Sequence, residues 1–161
     1  MRLCLDVSGI SFSFEIKDYS RKNRTEYGCT WCQADISLRS GDWLNFNKKD
    51  QEILTAEEVD DWSEELERLL NNQMQAPEKM GFIEPDLFME FYPERCGERG
   101  SYMEWQIYFW SEDGWATDNY LSLDFERAEL EALEVYLKLV QGSLSENDEA
   151  VQKLMQQEIL R

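Results

Sequence analysis

Apolar positions recur along the chain with two periods, and the points where one gives way to the other mark the elements. Leu3, Leu5 and Val7 alternate with polar residues. After Ser8-Gly9 the alternation resumes at Ile10, Phe12, Phe14 and Ile16, which predicts a hairpin with one buried face. Residues 17–28 (KDYSRKNRTEYG) keep no period and hold the basic cluster Arg21, Lys22 and Arg24, so they read as an exposed loop. Residues 30–39 alternate again, with Cys32, Ala34, Ile36 and Leu38 inward and Gln33, Asp35 and Ser37 outward. Gly41-Asp42 turns that strand, and Trp43, Leu44 and Phe46 follow as a short strand or a plug beneath the next element.

At Thr55 the period becomes helical. Thr55 is placed to cap, Glu58 three residues on to close a capping box, and Val59, Trp62, Leu66, Leu69 and Leu70 form one apolar stripe. The other faces of this helix carry Glu57, Asp60, Asp61, Glu64, Glu65 and Glu67, with Arg68 as the nearby cation. Acids in the first turn suit the positive end of the helix dipole, but those in later turns repel one another at i,i+4. Such repulsion serves solubility or a partner.

Residues 71–79 read as a polar connector, and Phe82-Ile83-Glu84-Pro85-Asp86 leads into a strand at 87–92 that begins after Pro85. Residues 102–110 (YMEWQIYFW) set Met103, Trp105, Ile107 and Phe109 on one face and Tyr102, Glu104, Gln106, Tyr108 and Trp110 on the other. Gly114 closes a hairpin turn, and residues 115–125 return with Leu121, Leu123 and Phe125 on the core side. A second helix runs over about 126–141 on Leu130, Leu133, Leu137 and Val140, stopped by Gly142. Ser145 and Asp148 resemble a capping box that opens a last helix over 145–160, with Val151, Leu154, Met155 and Ile159. Antiparallel strands without βαβ alternation predict an α+β fold, an antiparallel β-meander with about three helices packed on one face. The expected organisation is a single domain over 1–161, its core at 1–142 and the C-terminal helix an appendage.

Composition narrows the function. Sixteen Lys and Arg against 34 Asp and Glu give a net charge of −18. Residues 1–49 hold eight basic and six acidic residues, net +2, while residues 50–161 hold eight and 28, net −20. A field of that sign repels nucleic acid and anionic membranes and draws in basic partners. No stretch approaches a membrane span, and the start MRLCLDVSG is too short in its apolar run for a signal peptide, so the expected compartment is the cytoplasm with reduced thiols. The chain has no histidine, which removes imidazole bases, Ser-His-Asp and Cys-His pairs and His-ligated metals together.

Cys29-Thr30-Trp31-Cys32 is the one spacing that suggests redox or zinc chemistry. A redox CxxC opens a helix, whereas here the second cysteine enters a strand, and a zinc site would need Cys4 and Cys96 to converge with the pair. Structural thiols are the favoured reading, with metal or redox use of Cys29 and Cys32 as the alternative. The paired acids Glu57/Glu58, Asp60/Asp61 and Glu64/Glu65 are solvated neighbours on one helix, without the contrasting environments an acid and a base need. No catalytic residue and no cofactor is expected. The outward aromatics Tyr102, Tyr108 and Trp110, with Trp115 and Tyr120, either sit beneath the C-terminal helices, the blander placement, or form an exposed patch with hot-spot composition.

Residues 31–38 with Gly41 and Trp43, the run Glu58-Val59-Asp60-Asp61-Trp62 with Leu66, Leu69 and Leu70, and above all Phe82-Ile83-Glu84-Pro85-Asp86-Leu87-Phe88-Met89-Glu90-Phe91 resemble the WapI-type immunity proteins. These are small bacterial proteins encoded beside the polymorphic toxins they neutralise. The resemblance runs from about Ile10 to Gly142 and leaves out the last helix; the CxxC and the basic loop depart from it. It implies a protein that binds a cognate toxin without enzymatic activity, and it transfers no toxin-contacting residue. With the charge, it points to a basic, nuclease-type toxin. The expected contacts are Glu57, Asp60, Asp61, Glu64 and Glu65 for steering, with Trp110 and Trp115 as anchors. An acidic mimic of nucleic acid that blocks a DNA- or RNA-binding protein is the other alternative.

Overall fold

The alternating residues near the start form the first sheet. In the computed structural model, which describes residues 1–20, 30–94 and 100–161, β1 (Leu3–Val7), β2 (Ile10–Lys17), β3 (Trp31–Ser40) and β4 (Leu44–Thr55) pair antiparallel in chain order. Ser8 and Gly9 both take positive φ, the geometry a two-residue hairpin turn requires between Val7 and Ile10. The basic cluster at Arg21, Lys22 and Arg24 lies outside the described residues, as do Cys29 and Cys96.

β4 runs without a loop into α1 (Ala56–Leu70), Thr55 serving both as last strand residue and as helix cap. Then come β5 (Glu78–Gly81), β6 (Leu87–Tyr92), β7 (Tyr102–Trp110) and β8 (Ala116–Phe125), a second antiparallel sheet in chain order, followed by α2 (Arg127–Val140) and α3 (Glu149–Gln156). The fold is α+β, but the expected single meander is two four-stranded sheets. The reason is α1: fifteen helical residues carry the chain about 22 Å, so β5 starts a new sheet instead of pairing with β4.

Two strands escaped the hydrophobic pattern. β4 spans twelve residues, not a short segment or a plug, and Trp43 beside it is exposed. β5 begins within the expected connector, at Glu78, and runs two residues past its end. Both are edge strands of mostly polar sequence, and apart from the buried Ile53 and Leu54 at the end of β4 they show no continuous apolar face. The last helix begins four residues later than expected, because Ser145 donates its amide and hydroxyl to the Asp148 carboxylate (2.7 and 2.8 Å) in a turn that precedes it.

Both inner faces and the stripes of α1 and α2 converge on one aromatic core. Phe12 meets Trp105 and Phe125 edge-on at 5.0 and 5.3 Å; Phe14 meets Trp62 and Tyr136 at 5.9 and 6.2 Å. Trp62 and Trp105 touch at 5.0 Å, so helix and second sheet share the centre. Beyond the first residue of β1, which pairs with Phe14, Tyr136 completes the ladder: the Ile16 amide donates to its hydroxyl oxygen at 2.6 Å. At the far end of the chain Leu160 bridges Leu3, and both it and Val151 are buried with the core. No helix among the described residues is long and apolar enough to cross a membrane.

Candidate protein-binding surface

α1 is fixed at its start by reciprocal bonds. The Glu58 amide donates to Thr55 Oγ1 at 3.1 Å, and the Thr55 amide and hydroxyl donate to the Glu58 carboxylate at 2.8 and 3.0 Å. The other Glu58 oxygen accepts from the amide of Ile83. Glu58 therefore locks the helix start to the Phe82-to-Asp86 run, which gives that motif a physical role. The acids around the helix divide by environment. Asp60 accepts from Tyr19 (2.7 Å) and Gln141 (2.8 Å), Glu57 accepts from the Thr30 amide (3.2 Å), and Glu65 pairs with Arg68, which also holds Glu78. Asp61 and Glu64 are exposed, with no ion-pair partner among the described residues, and line a groove beside β5.

The far end of the Phe82-to-Asp86 run reaches the first sheet. Lys48 on β4 pairs with the nearly buried Asp86, and its ammonium lies over the Trp110 ring, 4.6 Å from the centroid. The Asp86 carbonyl accepts from the Tyr108 amide at 2.9 Å. Trp110 thus sits at the seam between the sheets, 38% exposed, and Trp115 stands out from the β7–β8 hairpin at 76% exposure. Ile83 is exposed on the run that joins this seam to α1.

The outward aromatics do not lie beneath the C-terminal helices, the placement favoured from sequence. α1 and α2 pack on the inner faces, and among the described residues no helix covers the outer face of β5–β8. Across it, Tyr92 stacks on Tyr102 with centroids 4.5 Å apart and planes 7° from parallel; Tyr108 meets Tyr120 at 5.1 Å. Between these pairs the register sets Glu90 opposite Glu104 and Glu104 opposite Asp124. Lys79 approaches Glu90 at 3.5 Å, while Glu104 accepts from the neutral groups of Gln106 (3.0 Å) and Ser122 (2.7 Å). Burial, then its hydrogen bond to Glu90, pushes the Tyr92 hydroxyl up to about 12, so it stays protonated at neutral pH. Sequence reasoning missed this acidic row. Alternation marks each carboxylate as outward, but only register brings the three strands' acids side by side.

Cys32 is buried on the inner face of β3. Burial, then the nearby acids Glu57, Asp18, Asp60 and Glu58, pushes its thiol up to about 12, the reverse of the lowered value that a redox or zinc thiolate needs. Cys4 and Cys32 are free, and among the described residues no three Cys, Asp or Glu side chains gather as metal ligands.

No curated protein and no solved structure matches the chain. The model of the immunity protein WapI-like family matches residues 3–140. That span opens on the first residue of β1 and ends on the last of α2, so it takes in both sheets and the Phe82-to-Asp86 junction, and omits α3. The chain belongs to the immunity protein WapI-like family.

Proposed function

We propose that this protein neutralises a cognate bacterial toxin by binding it in the cytoplasm, as an inhibitor that covers its target and transforms no substrate. The family match over both sheets and two helices carries the reading. The charge distribution adds the chemistry of the partner: a net −20 over residues 50–161 suits a basic toxin domain of the nuclease kind. Asp61 and Glu64 present carboxylates to solvent, and Glu57, Asp60 and Glu65 add charge from fixed positions, so α1 serves to steer. Trp110 and Trp115 offer large ring surface at the seam and hairpin, the residue type that anchors interfaces.

The test is co-expression in a bacterial host with the toxin domain encoded beside this chain. Growth should be restored by the protein, and the two proteins should co-purify. Growth arrest unrelieved by a well-folded, abundant chain would reject the reading.

A further inference from the structure

We infer that the toxin docks on the outer face of β5–β8, where a groove beside the Phe82-to-Asp86 run takes one of its lysine or arginine side chains. This inference rests on the immunity reading and names the surface that would carry it. The groove has a volume of about 380 Å3, and its walls are mainly apolar: Phe82, Pro85, Leu87, Phe88 and Tyr108. Asp118 stands at its rim, exposed, and its carboxylate makes no ion pair or hydrogen bond among the described residues. An apolar trough ending at a free carboxylate fits a side chain with an aliphatic stem and a cationic head. The Tyr108 ring would hold the stem and attract the cation, beside the Phe88 ring, over which the Lys79 ammonium already lies 6.0 Å from the centroid.

The surroundings have the same sign. Among the described residues Glu104 has only neutral donors, and it sits on this face directly opposite Glu90. Like charges across an antiparallel pair oppose sheet stability, so the arrangement makes sense where a cation from outside relieves it. Lys79 is the one lysine that faces these acids from β5, and its ammonium is already at Glu90. The long-range field of α1 then governs how fast the toxin arrives, and the sheet face governs how long it stays.

Asp118→Lys and Glu64→Lys make the comparison, since both positions are exposed and both changes shift the net charge equally. With nona-arginine as probe at about 150 mM salt, Asp118→Lys should weaken binding about tenfold and Glu64→Lys less than about threefold. Tyr108→Ala, which leaves charge unchanged, should weaken it severalfold. Backbone amide shifts on titration should centre on Phe88, Tyr108 and Asp118. Equal losses for the two lysine variants, or shifts centred on α1, would overturn the docking surface. In the toxin co-expression assay, full protection by the Asp118→Lys, Tyr108→Ala double variant would overturn it while leaving the immunity reading intact. Failure of the unaltered protein to protect, with nona-arginine still bound on this face, would remove the immunity reading instead.

Discussion

Single side chains hold the fold at points where the backbone has no partner of its own. Tyr136 is fully buried, and its hydroxyl oxygen is what the Ile16 amide finds beyond the first residue of β1. Burial pushes that hydroxyl well above its ordinary range, so it is neutral at neutral pH. Tyr136→Phe keeps the ring and leaves a buried N–H unpaired, which should cost about 1–3 kcal/mol in urea denaturation. Glu58 does more than its place in a capping box predicts, because it also takes the Ile83 amide. The sequence shows the box through the Thr-x-x-Glu spacing; the bond to a residue 25 positions away has no local signature.

Asp35 gives the fold a pH dependence. Burial raises its carboxyl, but the bonds from the Lys17 ammonium and the Asp50 amide outweigh that, and the net result lies below the ordinary carboxylate range. A carboxyl lowered by folding adds stability above its unfolded value, and that contribution is lost as the pH falls through the folded value. Asp35→Asn should therefore lower stability by about 2 kcal/mol at neutral pH. The gap from the unaltered protein should shrink as the pH is taken below about 4. Denaturant titrations across that range measure it, and a pH-independent gap would mean that the ion pairs are not the cause.

At the scale of elements, legibility followed burial. Strands with one apolar face, such as β2 and β7, declared themselves by alternation: of the inward set Met103, Trp105, Ile107 and Phe109, the first three are buried and Phe109, near the strand end, is half-buried. α1 was readable from end to end because cap, stripe and charged face agree. β4 and β5 were not, since an edge strand with polar residues on both sides leaves no period to read. The division into two sheets was also beyond the pattern, for it depends on where α1 sets the chain down. Of the candidate site, the α1 acids and the hairpin tryptophans could be named from sequence. The acid row at Glu90, Glu104 and Asp124 could not, because it exists only through register.

The junction between the sheets makes its own prediction. Lys48 meets Asp86 with little solvent around the carboxylate, and the same ammonium covers Trp110. Lys48→Ala strands a buried charge and should cost about 3 kcal/mol, far more than Lys49→Ala on the exposed side of the same strand. Its tryptophan fluorescence should change as Trp110 loses its cover. A loss no larger than that of Lys49→Ala would show that the seam is not held this way.

For the whole molecule, the proposed binding of a basic toxin surface draws on the acidic excess of residues 50–161. Association with the toxin domain should slow by about tenfold or more between low salt and about 0.5 M, with dissociation changing much less. Stopped-flow mixing at several ionic strengths measures this, and an association rate indifferent to salt would exclude steering.

The claim under all of these is that the protein acts by occupying its partner. Titrating a fixed amount of active toxin domain with the purified protein tests it most directly. A covering inhibitor removes activity in proportion to the amount added and reaches zero at a fixed molar ratio, however long the mixture stands. Loss of toxin activity that continues with time when the protein is present in small substoichiometric amount would reveal turnover and contradict the account.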